Sequence, residues 1–422
     1  METDSSQQKN DPYVALRYPE FRAFLSMRFF LTFGYQIQAV VIGWYIYHLT
    51  KDPLSLGFIG LAEAIPAIGI ALYGGYIADK SEKRGIARWM LSGLFICSLV
   101  LFLITLPYFS SRLGEQNIVI IIYVMIFCIG LGRGFLGPAF FSIMAQIIPR
   151  EHYPNSSTWN STGWQIASIG GPALGGLVYG FAGVTATFAI ILVCLLISLS
   201  STFFLQKHPP QFTSGLSIMS SLSQGIKFVF SSRMLLGALS LDLFSVFFGG
   251  AVALIPVIAS EVLHVGAEQF GMMRAAPALG AVLTMLFMAR HSPMNKPWRN
   301  LLFAVTGFGL SIICYGISRN FYLTLFFLFC EGAFDSVSVI IRSTIMQLLT
   351  PEDMRGRVSA VNSMFIGSSN EIGAFESGLT ARLFGTVPAV IFGGCMTLIV
   401  VSITYLKTKK LVPLGLKEIH PH

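Results

Sequence analysis

Apolar residues run along this chain in long unbroken stretches, unlike the three- and four-residue spacing of a surface helix or the alternation of a half-buried strand. Roughly twelve stretches reach the ~20 helical residues needed to cross a hydrocarbon layer. The pattern predicts spans over Phe24–Leu49, Leu54–Ala78, Ala87–Phe109, Ile118–Ile148, Asn160–Phe181, Thr185–Leu205, Leu235–Ala259, Gln269–Ala289, Leu301–Ile317, Tyr322–Leu349, Val361–Phe384 and Val387–Leu406. The expected class is an all-α membrane protein. Met1 to Tyr18 is polar and lacks the basic segment, short apolar run and small-residue cleavage site of a signal peptide, so the first span is expected to be retained.

Composition agrees with the pattern. Of 422 residues, 54% are apolar and 11% charged, whereas about a quarter of a soluble domain is charged. All six cysteines (Cys97, Cys128, Cys194, Cys314, Cys330, Cys395) fall in apolar spans without a CxxC pair, which indicates neither a disulfide framework nor a zinc site. The net charge of +8 would suit a nucleic-acid partner, but its placement argues otherwise. Lys80, Lys83, Arg84, Arg88, Arg150, Lys207, Lys227, Arg233, Arg290, Lys296, Arg299, Arg355, Arg357 and the basic residues of both termini fall on one side of the twelve-span arrangement. Lys51, Arg112 and Arg319 fall on the other. Such an asymmetry follows the positive-inside rule and predicts cytoplasmic termini. The basicity is then topological, and no nucleic-acid partner is expected.

The chain repeats itself. Gly60, Pro66, Ala67 and Gly69 of the second span align with Gly271, Pro277, Ala278 and Gly280 of the eighth at an offset of 211. Pro149, Asn160, Gly171 and Gly176 align with Pro351, Asn362, Gly373 and Gly378 at an offset of 202. These offsets predict two pseudo-symmetric six-helix halves in the same orientation. Residues 1–206 and 231–422 would form the halves, and 207–230, with its Pro-Pro and Ser-rich segment, a cytoplasmic linker.

Charges within the spans are unevenly distributed. Spans three, six, nine and twelve carry none in their apolar interiors and are expected to face lipid. The others supply Arg28, Glu63, Arg133, Asp242, Arg274, Glu331, Asp335, Arg342, Glu371, Glu376 and Arg382. A charge in the bilayer is costly and turns toward a cavity or a partner.

After the second span stands Gly75-Tyr-Ile-Ala-Asp79-Lys80-Ser-Glu-Lys83-Arg84. It resembles the loop signature G-x-x-x-D-R/K-x-G-R/K-R/K of the major facilitator superfamily, with Glu82 where the pattern has glycine, and the two-half plan extends that resemblance over the whole chain. The resemblance implies that Gly75, Asp79, Lys80, Lys83 and Arg84 latch the cytoplasmic side during alternating access. Gly171-Pro172-Ala-Leu-Gly175-Gly176 resembles the core of the motif found mainly in the antiporter branch, with Ala167 and Thr158 in place of the upstream glycines. The small residues equally serve close helix packing, and Pro172 removes a backbone donor. Arg133 resembles the buried arginine of the fourth-helix motif, implicated in proton coupling; pairing with an acid of another helix is the alternative. Gly132, Gly134 and Gly137 match G-x-G-x-x-G, but no strand precedes them, which rejects nucleotide binding.

Glu331 and Asp335 lie four residues apart on one face of the tenth span, with Arg342 two turns further along it. Two acids in a low-dielectric stripe repel, and one of them is expected to hold a proton. Asp242 is a further candidate. A static brace formed with Arg342 is the competing role. Glu63 and Arg274 occupy equivalent positions in the two halves with opposite charge, which fits gating or structure better than substrate contact. The segment Thr350-Pro-Glu-Asp-Met-Arg355-Gly-Arg357-Val-Ser-Ala-Val-Asn362 and its continuation to Gly378 resemble the branch containing enterobactin-type siderophore exporters and macrolide-efflux-like proteins. Arg355 and Arg357 at the cytoplasmic mouth suit contacts with helix ends or lipid phosphates. Glu371 and Glu376 replace the aliphatic Ile169 and Leu174 of the sister helix, which makes them further proton-coupling candidates, although they stand about 140° apart around the axis.

No Walker A loop, HExxH or GxSxG is present, so no enzyme and no cofactor is expected. The expected function is secondary transport: a proton-coupled antiporter, monomeric, in a bacterial cytoplasmic (inner) membrane, exporting a small drug-like or siderophore-like molecule. An importer or facilitator on the same fold, or a non-transporting receptor or scaffold, are the alternatives. Phe33, Tyr35, Trp44, Tyr45, Met272 and Met273 suit an adaptable pocket or plain packing alike, and no substrate-binding residue is assigned.

Overall fold

The computed structural model describes residues 13–207, 218–291, 293–351 and 354–415, and no strand occurs among them. The long helices are α1 (Pro19–Thr50), α2 (Pro53–Lys80), α3 (Lys83–Thr105), α4 (Glu115–Ile147), α5 (Tyr153–Ser201), α6 (Ile218–Ser231), α7 (Arg233–Phe248), α8 (Ala267–Arg290), α9 (Pro297–Ile317), α10 (Phe321–Leu349), α11 (Arg355–Phe384) and α12 (Thr386–Thr408). Their starts follow local chemistry. Pro297 begins α9, where its missing N–H costs nothing. The Asn320 side chain accepts hydrogen bonds from the Tyr322 and Leu323 amides to cap α10, and Ser232 accepts from Leu235 to cap α7.

Ten described helices are long and apolar enough to cross a membrane. One of them, Asn155–Phe204, is 50 residues long, more than twice the length one crossing needs. It breaks at Gly183 (φ 79°, ψ 178°), midway between the expected fifth and sixth spans. Absent from the ten is α11, whose Asn362, Asn370, Glu371, Glu376 and Arg382 make it too polar to qualify. At 30 residues it is still long enough to span. The seventh expected span is not one regular helix. After α7 the chain passes through a 3-10 turn, Gly250–Leu254, one short turn, Ile255–Val257, and a π-helical turn, Ile258–Val262. Within the expected linker, residues 218–231 form α6, and 208–217 lie outside the described residues.

Large apolar side chains are exposed on α3, the second limb of α5, α9 and α12, among them Trp89, Ile96, Leu196, Phe303 and Leu406. In water such faces would drive association; against lipid tails they are the matched surface. Lipid-type faces also occur on α8 and α10, at Leu283, Leu286, Tyr322 and Phe326, so they are not confined to the four charge-free spans.

Packing divides the described chain into two compact units. The first takes in residues 13–41, 65–175 and 182–207, and the second 42–64, 176–181 and 218–415. In the first, Gln38 of α1 accepts from Ser98 of α3 at 2.6 Å, and the Ser198 hydroxyl of α5 donates to the Met27 carbonyl at 2.8 Å. In the second, α7, α9, α10 and α12 enclose a core around the fully buried Trp298. The turn joining α1 to α2 and the short segment 176–181 of α5 belong to this second unit because they pack on α8 and α11.

Candidate functional site

A chain of buried charges runs through the second unit, and glycines set its geometry. Where α8 crosses α10, a Cβ on Gly280 would overlap the Phe329 carbonyl and one on Gly332 the Pro277 carbonyl, so the two backbones touch. That approach brings Arg274 of α8 within electrostatic reach of Glu331 of α10. Tyr315 of α9, fully buried, is within reach of both. One turn along α10, Asp335 interacts with Glu331, Arg342 and Asp242. Arg342 forms an ion pair with Asp242 of α7. Glu331, Arg342 and Asp242 are each 7% exposed. The Arg274 guanidinium also donates to the Val252 carbonyl at 3.4 Å, in the irregular segment after α7.

The sequence expectation of Glu331, Asp335 and Arg342 on one stripe of α10 is met, and the structure adds two members. Asp242 joins through its ion pair with Arg342. Arg274, assigned above to gating, sits beside Glu331. Tyr315 was not singled out in the sequence; a tyrosine in an apolar helix carries no signal until a neighbouring helix places a charge beside it.

The remaining candidates lie elsewhere. The Glu376 carboxylate is held on its own helix by Thr380, 2.8 Å away, and by Ser377. Glu371 sits where α11 passes α2, and a Cβ on Gly60 would lie 2.6 Å from its carbonyl oxygen. In the first unit, Arg133 donates to the Tyr35 hydroxyl at 2.7 Å and lies 4.3 Å over the Tyr35 ring. Glu63 is buried.

Of the loop signature, the side chains of Asp79 and Lys80 and the surroundings of Gly75 lie outside the described residues, as does the side chain of Arg355. Arg84 binds Glu82 at 3.2 Å and the Leu205 carbonyl at 2.8 Å, while Lys207 reaches Glu82 at 3.8 Å. The glutamate that departs from the family pattern therefore ties the start of α3 to the end of α5's second limb. The Lys83 amine is buried without a hydrogen-bond partner among the described residues. Arg357 contacts the Met354 sulfur at 3.0 Å, and its carbonyl abuts Gly225 of α6.

The antiporter-like motif serves two contacts. Gly171 and Gly175 admit α1, where a Cβ would lie 2.6 Å from Gln36 Cβ and 3.0 Å from Ile37 Cα respectively. Gly176 meets Gly271 of α8. Near this second contact Trp44 stacks on Phe270 (4.3 Å between centroids), the Tyr47 hydroxyl hydrogen-bonds Glu261 on the π-helical turn, and Arg382 pairs with Asp52 at 3.1 Å. Neither Tyr47 nor Glu261 was expected as a site residue; their pairing depends on the π-turn, which periodicity does not reveal.

A family model described as transmembrane secretion effector, of the major facilitator type, matches residues 10–415. The MFS-type transporter YfmI of Bacillus subtilis is 27% identical over 366 residues, 83% of this chain and 88% of that protein. The enterobactin exporter EntS of Shigella flexneri is 23% identical over 362 residues, 85% of this chain and 84% of that protein. Among solved structures, a bacterial homologue of the human lysosomal transporter Spinster, inward-facing and unoccupied, superposes with a TM-score of 0.70 at 12% identity, covering 94% of this chain and 98% of that one. A D-xylose–proton symporter gives 0.70 at 15% identity, covering 92% and 97%. These likenesses carry the fold; the family match carries the class, a membrane transporter and not an enzyme. The chain belongs to the transmembrane secretion effector family of major facilitator secondary transporters.

Proposed function

We propose that this transporter is a proton-coupled antiporter that exports a small, partly apolar organic molecule, drug-like or siderophore-like, from the bacterial cytoplasm. The observation that carries the reading is the charge count of the buried network. Asp242, Glu331 and Asp335 contribute three carboxylates, against two guanidiniums from Arg274 and Arg342. With every group ionised the network keeps one uncompensated negative charge in a low-dielectric interior, which one bound proton removes. Asp242 already has Arg342 as a close partner, so the exchangeable proton is placed on Glu331 or Asp335. Movement of Arg274 relative to Glu331 would then change proton affinity with conformation, as coupling requires. Export is favoured by the antiporter-like motif at Gly171–Gly176 and by the likeness to the enterobactin exporter. The proposed setting is a monomer in the inner membrane with cytoplasmic termini, organised as halves 1–206 and 231–422 joined by 207–230.

Everted vesicles energised by respiration, carrying a pH-sensitive dye and challenged with siderophores, macrolides and lipophilic cations, test this reading. Substrate-evoked proton release is expected from the wild type, with loss of at least tenfold in Glu331→Gln or Asp335→Asn. Glu376→Gln is expected to retain it, since that acid lies outside the network. Transport of a radiolabelled compound without proton release would make the protein a facilitator, and accumulation in intact cells would reverse the direction.

A further inference from the structure

We infer that the shallow groove between the start of α9 and the end of α12 is a binding site for an anionic glycerophospholipid. The groove has a volume of about 390 Å³ and is walled by Leu302, Phe303, Val401, Tyr405, Leu406 and Val412, with Arg299 at its mouth. Neither helix carries an acid or a base in its apolar interior, and Phe303 and Leu406 are 70% and 62% exposed, so the walls face the lipid phase.

Charge identifies the occupant. Arg299 stands on the first turn of α9, and Lys407, Lys409 and Lys410 stand at the end of α12 and on the 3-10 turn that follows it. All four are exposed, and no carboxylate among the described residues pairs with any of them. The Lys409 ammonium lies 5.9 Å from the centroid of the Tyr405 ring, which ties the basic rim to the groove wall. A mainly apolar slot, with the hydroxyls of Thr306 and Ser402 in its lining and cations at one end, matches an amphiphile with an anionic head and acyl chains, and the cations sit where the apolar spans end, at headgroup level. The shape is built in. The Trp298 indole N–H donates to the Thr408 hydroxyl at 2.8 Å, and Leu411 and Val412 fold back onto the core around Trp298. The rim cannot drift from the slot without breaking that anchor.

Tryptophan quenching tests the site on the full chain in vesicles of phosphatidylcholine and phosphatidylglycerol. A Phe303→Trp reporter, read against wild type to subtract the native tryptophans, is quenched by either brominated phosphatidylglycerol or brominated phosphatidylcholine. Leu406→Trp serves as a second reporter should the first fail to fold, and Phe392→Trp, exposed on α12 away from the rim, is the control. The expected result is a preference for the anionic lipid on the order of fivefold per engaged cation. It is expected at the groove reporters, not at the control, and to fall to unity when Arg299, Lys407, Lys409 and Lys410 are all replaced by Gln. Equal quenching by both lipids, or a preference that survives the fourfold substitution, overturns the proposal. Absence of quenching by either lipid, with concentration-dependent energy transfer between labelled chains, would assign the groove to a second copy and overturn it equally.

Discussion

At the scale of single residues, the buried network turns on pairs in which each charge depends on another. Asp242→Asn leaves the Arg342 guanidinium buried without its closest partner, and breaking a buried pair from one side costs about 3–5 kcal/mol. The single variant is therefore expected to lower the melting temperature of the purified protein by several degrees. The Asp242→Asn/Arg342→Gln pair is expected to recover a large part of that loss in the same thermal assay. Equal destabilisation by the single and double variants would remove the pair from the network. The sequence showed Glu331, Asp335 and Arg342 as one stripe because helical spacing is local. It could not show that Arg342 answers Asp242, a hundred residues away on another helix. Arg133 illustrates the same limit, since its placement was readable and its Tyr35 partner was not.

At the scale of elements, irregular positions carry the information. Gly183 and Gly385 both adopt positive φ (79° and 89°) with extended ψ, a region open to glycine and almost nothing else. They lie 202 residues apart, the same offset that relates the helices before them. Each bends the chain between two consecutive spans, so the repeat extends to the backbone turns. Gly183→Ala and Gly385→Ala are each expected to cost about 1–3 kcal/mol through this strain. Gly367→Ala, inside α11 with nothing within 4 Å of its Cβ, is expected to cost no stability and to gain up to about 1 kcal/mol in a parallel melt. A second prediction concerns helix contact. Gly280→Leu has no room against the Phe329 carbonyl and is expected to prevent α8 from approaching α10, separating Arg274 from Glu331. If proton release survives that substitution, Arg274 takes no part in coupling.

At the scale of the whole molecule, the proposed topology accounts for the net charge of +8 by putting most cations in the segments that connect spans on one side. A fluorescent protein that folds only in the cytoplasm, fused after His422, is expected to be bright; a dark fusion with full-length expression would invert the orientation. The membrane class, the approximate spans, the internal repeat and the superfamily all came from the sequence, because hydropathy, charge asymmetry and repeat offsets are properties of residue order. α11 is the exception among the spans. Its polar residues lower its apolarity, yet the repeat predicted it where hydropathy alone does not qualify it. Tertiary structure alone decided which charges share a site. Glu331, Asp335, Arg274, Arg342 and Asp242 come from three helices: Gly280 and Gly332 let α8 and α10 touch, which brings Arg274 to Glu331, and α7 brings Asp242 to Arg342. The fate of Glu376 was likewise settled by neighbours, Thr380 and Ser377 holding it on its own helix. Periodicity fixes which face of a helix a residue occupies; only packing, through the volume that each side chain excludes, fixes what that face meets.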